Sequence, residues 1–183
     1  MSEAVPFYSL PERITALLEA SAKCKGTPFA PKQMAPGFGL DCVRNPAWCY
    51  LQSGFFTKFT PPNYAMDSGS HSAKSYLIDW FEKWEEVHAN GLRHFFVRVD
   101  SPRVGDAVCL QMPKTLSAHH CGLMISDSQV SHAIFFGEKR VVISDLGKED
   151  FYGRRLRAVF RPMQTVATGG YASPKDVIVG GAR

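Results

Sequence analysis

The sequence predicts an α+β fold in which N-terminal helices pack on a C-terminal antiparallel β-sheet. Three observations carry this expectation. Apolar residues recur at helical spacing up to about residue 87, and from about residue 92 they fall into short strand-like runs divided by turn residues. The third is the total: 183 residues, 45% hydrophobic and 21% charged, suit one globular domain with a core of useful size.

Ser9 and Glu12 have capping-box spacing, and Leu10, Ile14, Leu17 and Leu18 follow at helical intervals, so a first helix is expected over about 10–23. Three prolines and three glycines between Gly26 and Gly39 then make an ordered loop that delivers the chain to Cys42. Val43, Ala47, Tyr50 and Leu51 predict a second helix, which tolerates Pro46 because it falls near the first turn. Cys42 is thereby expected at a helix N-terminus. Residues 56–72, rich in Pro, Gly, Ser and aromatics, read as a long surface loop. A third helix follows, with Tyr76, Leu77, Trp80, Phe81, Trp84 and Val87 on one apolar stripe; Trp80 and Trp84 are assigned to the core.

The strand-like runs are HFFVRV, DAVCLQM, HCGLMIS, VSHAIFF, KRVVISDL and LRAVFRP, expected to form an antiparallel meander. The single domain is taken to span 1–162. The tail 163–183, with Gly169, Gly170, Gly180 and Gly181, is expected to be mobile in part. No internal repeat is present.

A net charge of +4, with arginines gathered late at Arg154, Arg155, Arg157 and Arg161, lacks the basic stripe of nucleic-acid binders, and nucleic acid is not expected as a partner. No apolar run reaches the roughly 18 residues of a membrane span. The N-terminus, with Glu3 and no basic start before an apolar run, does not read as a secretory signal, so a cytoplasmic or phage-associated location is expected. Five cysteines (Cys24, Cys42, Cys49, Cys109, Cys121) are odd in number and lack framework spacing, which points to free thiols. Oligomeric state is not legible.

A nucleophilic cysteine needs thiolate character, supplied by a helix N-terminus or a neighbouring imidazole. Cys42, at a loop-to-helix turn after Gly39, Leu40 and Asp41, has the first, and freed N–H groups there could also stabilise an oxyanion. The competing reading is a buried thiol acting as a small hydrophobe. Three of the six histidines fall in one predicted hairpin, HHCGLMISDSQVSHA. Neighbours in a strand face opposite ways, so His119 and His120 cannot both face one site. If His120 pairs with residue 134, or any even-numbered residue, His120 and His132 share a face; an odd register separates them. A base on one strand with an orienting group on the next is what a Cys-His hydrolase requires.

Other residues read otherwise. Cys42, Cys49, Cys121, His120 and His132 lack CxxC or HxxxH spacing, so no metal site and no cofactor are expected. Cys109 and Cys121 belong to the core. Asp106 shapes a turn rather than doing acid-base work. Asp41 is divided between capping the helix and contacting a substrate amine.

Taken in order, GTPF and GFGLDC before the thiol, VGDAVCL, HCGLMI, SHA with VVISDL, and RAVFR resemble the NlpC family of papain-like cysteine peptidases of bacterial and phage cell-wall metabolism. The resemblance runs from about residue 13 to 161. It implies a papain-like fold with Cys42 as nucleophile, His120 as general base and His132 as the orienting third residue. It also implies hydrolysis of peptide bonds in peptidoglycan stem peptides through a thioester, with a peptide or muropeptide as substrate. Departures flank the nucleophile: Phe29 stands for the family's tyrosine, Lys32-Gln33-Met34 for its Trp-Gly-Gly, and Val43-Arg44 for its Ser-Gly. The family uses some of these positions to bind the substrate's free amine and L-alanine end, so the departures bear on substrate and leave the catalytic set intact. An acyltransferase or thioesterase on the same scaffold, and a non-catalytic phage or structural binding module, are the alternative classes.

Overall fold

The computed structural model describes residues 2–62 and 71–167. Helix α1 (Pro11–Cys24) lies close to its expected limits, but Ser9 does not cap it. Ser9 ends a short 3-10 turn (Phe7–Ser9), and Leu10 holds the N-cap position without a side-chain bond. Pro11 starts the helix instead, its fixed φ suiting the first turn. Leu17, Ala20, Ser21 and Cys24 form the buried face.

Helix α2 (Arg44–Gln52) packs against α1, and α3 (Tyr76–Lys83) is capped by Ser75, whose Oγ accepts from Ile78 N at 3.1 Å. The expected apolar stripe of α3 ends early. Trp84 is extended, and Glu85–Val87 forms β4 on the sheet edge, leaving Val87 65% exposed. Edge pairing with β5 and the packing of Trp84 on Phe55, Phe56 and Phe96 outweigh helical periodicity there. Of the loop expected over 56–72, residues 63–70 lie outside the described residues.

The strands are β1 (Ser2–Pro6), β2 (Met34–Ala35), β3 (Gly39–Leu40), β4, β5 (Arg93–Val99), β6 (Ala107–Leu110), β7 (His120–Met124), β8 (Gln129–Ala133), β9 (Val141–Asp145) and β10 (Leu156–Ala167). All six expected strand runs form. Their order is not a plain meander: β4-β5-β10-β6-β7-β8-β9, with β1 on the far part of β10. Strand β10 inserts between β5 and β6, every pairing antiparallel. It also continues five residues past Pro162, pairing as far as Ala167; the rest of the expected tail, 168–183, lies outside the described residues.

The sheet is buried on both faces at its centre. Ala107, Cys109, Cys121, Leu123, Ala133 and Phe160 pack with α1 and α2, while Val108, Leu110, Met124, Val130 and Val159 form a second cluster behind. Trp80 and Trp84 pack on the first core, as assigned from sequence.

Candidate active site

The approach to Cys42 is held from both sides. Gly26 N and Phe29 N donate to the carbonyls of Val141 and Lys139, tying the loop to β9, and β2 pairs with β3 just before the thiol. Asp41, 1% exposed, then organises the turn. Its Oδ1 accepts from Val43 N (3.1 Å) and Arg44 N (2.8 Å), and its Oδ2 from Lys32 N (2.8 Å) and Arg44 Nη1 (2.6 Å). Of its two sequence readings, the geometry displays the cap: both oxygens serve donors of the chain itself. Pro46 lacks the N–H that would reach the Cys42 carbonyl, and in the first turn this breaks no further helix bond.

Cys42 therefore sits at the start of α2, 6% exposed. Burial pushes its thiol up to about 12, with the Asp41 charge adding to the rise and the backbone N–H groups of Cys121, Cys42 and Val43 opposing it. Its Sγ reaches the His119 carbonyl at 4.0 Å. Burial disfavours the charged form of both Cys42 and His120.

Strands β7 and β8 pair Leu123 with Ser131 and Met124 with Val130. Extended toward the open end, this register sets 120 opposite 134, so His120 and His132 fall on one face as diagonal neighbours. Their rings meet accordingly, His120 Nε2 lying 2.8 Å from His132 Nδ1. Gly122, between them in register, makes the approach possible: a Cβ there would run into Val130 Cγ2 and stand 3.3 Å from the His132 Cβ. Burial holds His120 well below its ordinary value, a positive His132 or His119 adding to this, and burial lowers His132 to about 4. His119 is half-buried, with Nδ1 3.3 Å from the Ser117 carbonyl oxygen, and offers Cys42 only its backbone.

Helix α2 docks over the opening of this hairpin, Asn45 Nδ2 donating to the Ser131 carbonyl at 3.1 Å. Alternation gives Cys121 and Ala133 to the helix side, and His120 and His132 to the side of Met124 and Val130. Cys42 thus lies on the helix side of β7 and the His120–His132 pair on the other, the thiol reaching the strand's start through the His119 carbonyl, where the ladder to β8 has ended.

Sequence reasoning passed over two neighbours of His132: Ser144, whose Oγ is 2.9 Å from Nε2, and Tyr152, whose ring stands edge-on to it at 4.5 Å. Alternation in VVISDL puts Ser144 on a face, but its place beside His132 depends on the β8–β9 register, which no local pattern encodes. Cys49, Cys109 and Cys121 are buried free thiols, and no metal-binding cluster occurs among the described residues. Asp106 shapes its turn, accepting from Arg103 N at 2.9 Å, and is paired with Arg161. A concavity of about 460 Å³ bounded by Lys74, Tyr76, Trp80 and Trp84 belongs to α3 and includes none of Cys42, His120 or His132. No helix among the described residues is long and apolar enough to cross a membrane.

No family model matches the chain, and no curated protein does. Among solved structures the chain is similar to one from Staphylococcus aureus subsp. aureus Mu50, described as similar to lipoprotein, NLP/P60 family. The TM-score is 0.53 at 16% sequence identity, covering 85% of this chain and 43% of that one. The chain thus spans less than half the length of that protein, and the likeness is one of fold.

Proposed function

We infer that this protein is a cysteine hydrolase that cleaves peptide bonds in cell-wall stem peptides, with Cys42 as nucleophile, His120 as general base and His132 orienting the base. The observation that carries the reading is the 2.8 Å bond between His120 Nε2 and His132 Nδ1, with a thiol at a helix start whose Sγ reaches the neighbouring His119 carbonyl. In this reading His120 Nδ1 takes the Cys42 proton as Sγ attacks the substrate carbonyl, and the imidazolium then protonates the leaving amine. A thioester remains, which water hydrolyses with His120 again accepting a proton and returning it to the thiolate. The Cys42 N–H and the positive dipole end of α2 stabilise the thiolate and the oxyanion, the Val43 and Arg44 N–H groups being taken by Asp41. Asp41 contributes by fixing that turn; a substrate amine would have to displace Arg44 from it to make contact.

Transfer of the proton is uphill in the closed site, because burial opposes both the thiolate and the imidazolium. In the hydrolase reading substrate entry supplies the polar surroundings that the resting cleft lacks. That closure also favours a second reading, a binding module on the same fold without turnover. Incubation with muropeptides separates the two. Release of a new amine by the wild type, lost in Cys42→Ser and His120→Ala and kept in His119→Ala, supports the hydrolase. Equal losses at His119 and His120 would sink the assignment of the base. No amine release, with iodoacetamide labelling of Cys42 indifferent to His120→Ala, would favour the binding module.

A further inference from the structure

The hydrogen-bond chain beside Cys42 does not end at His132. Ser144 Oγ lies 2.9 Å from His132 Nε2, and the Tyr152 ring stands at 89° to the His132 ring with centroids 4.5 Å apart. Val142 is the β9 partner of His132, so Ser144, two residues on, shares its face as a diagonal neighbour. Tyr152 arrives from the loop before the 3-10 turn Gly153–Arg155 that leads into β10.

Two neutral imidazoles joined nitrogen to nitrogen must divide the roles, one donating and one accepting. The base's task decides which. His120 Nε2 is occupied by His132, so the nitrogen left for the Cys42 proton is Nδ1. A free lone pair on Nδ1 requires the ring proton on Nε2, donated to His132 Nδ1. His132 must then carry its own proton on Nε2 and donate it to Ser144. A serine hydroxyl can give or take. The Tyr152 phenol, in hydrogen-bond reach of Ser144, offers the serine proton an acceptor. The serine lone pairs remain for His132.

We propose that Ser144, backed by Tyr152, is a positioning residue: by accepting from His132 Nε2 it holds both histidines in the tautomer that leaves His120 Nδ1 free to act as base. The choice of tautomer rests on the hydrolase reading; the hydrogen-bonded chain from His120 through His132 to Ser144 does not. Without the Ser144 acceptor, His132 gains by moving its proton to Nδ1. His120 Nε2 must then become an acceptor, the His120 proton moves to Nδ1, and Nδ1 has no lone pair left to take a proton.

Nitrogen-15 labelling of the six histidines in the full chain, assigned through single His→Gln variants, reads the tautomers directly near neutral pH. The wild type is expected to show Nε2–H for both His120 and His132. Ser144→Ala should move His132 toward Nδ1–H, Ser144→Thr should restore it, and Tyr152→Phe, which keeps the ring edge, should weaken the preference. In muropeptide turnover Ser144→Ala should lower kcat by roughly 10–100-fold with KM little changed, and Ser144→Thr should recover most of it. Unchanged tautomers in Ser144→Ala overturn the proposal, as does a tautomer shift with undiminished kcat. If the wild type turns over no muropeptide while the tautomers respond as expected, the hydrolase reading fails and the hold of Ser144 on the two imidazoles stands.

Discussion

The chemistry of Cys42 is set by its burial more than by its neighbours. A thiol pushed up to about 12 is protonated throughout the physiological range, and its thiolate fraction grows about tenfold per pH unit. Iodoacetamide labelling of Cys42 should therefore climb steadily from pH ~7 to ~10; a rate already level at neutral pH would reveal a thiolate–imidazolium pair instead. His132 makes a separate prediction. Its folded value of about 4 lies below the ordinary 6.5, so the unfolded chain takes up the proton first as pH falls. The stabilisation present above pH 6.5 is lost on acidification toward pH 4. At roughly 1.4 kcal/mol per pH unit this amounts to about 3 kcal/mol. Urea unfolding at both ends of that window, in the wild type and in His132→Gln, checks it: the variant should lose much of the slope. His120 and His94, also lowered by burial, act in the same direction.

At the level of elements, the site depends on how closely β7 and β8 approach. Gly122→Ala would press a methyl into Val130 and against the Cβ of His132. It should destabilise the domain by about 1–3 kcal/mol and reduce muropeptide turnover by loosening the His120–His132 contact. Thermal unfolding and kcat measured together test this, and an unaffected kcat in a destabilised protein would mean that the hairpin repacks without moving the rings. The same hairpin explains what could be read in advance. The place of Cys42 at a helix onset and a shared face for His120 and His132 were legible from local patterns up to the parity of the register, while the naming of His120 came from the family resemblance. The end of α3 was not legible, because Trp84 and Val87 keep helical spacing and leave the helix only for the aromatic cluster and the edge of β5. Ser144 and Tyr152 depended on a register and a loop path, both properties of the assembled sheet.

For the whole molecule, the position of β10 matters most. It is the last of the described strands and lies inside the sheet, giving Phe160 to the helix-facing core and Val159 to the other. Arg161 carries this integration outward, reaching both carboxylate oxygens of Asp106 at 3.1 and 2.8 Å and so tying β10 to the turn before β6. Burial raises Asp106 despite that partner, which marks the pair as partly desolvated. Asp106→Ala, leaving Arg161 without its carboxylate, should cost about 3 kcal/mol by chemical denaturation, and a loss under ~1 kcal/mol would mean the pair behaves as a surface contact. Insertion of the last strand between β5 and β6 was beyond sequence reading, since six similar runs admit many orders.

That insertion also has a temporal side. While the chain is being made, α2 and the histidine hairpin are finished well before β10, yet β6 then has an open edge where β10 will lie and both cores lack a wall. A ribosome-bound chain therefore carries all its candidate catalytic residues without a finished sheet to hold them. The sheet that holds them can close only once residues 156–167 have been made.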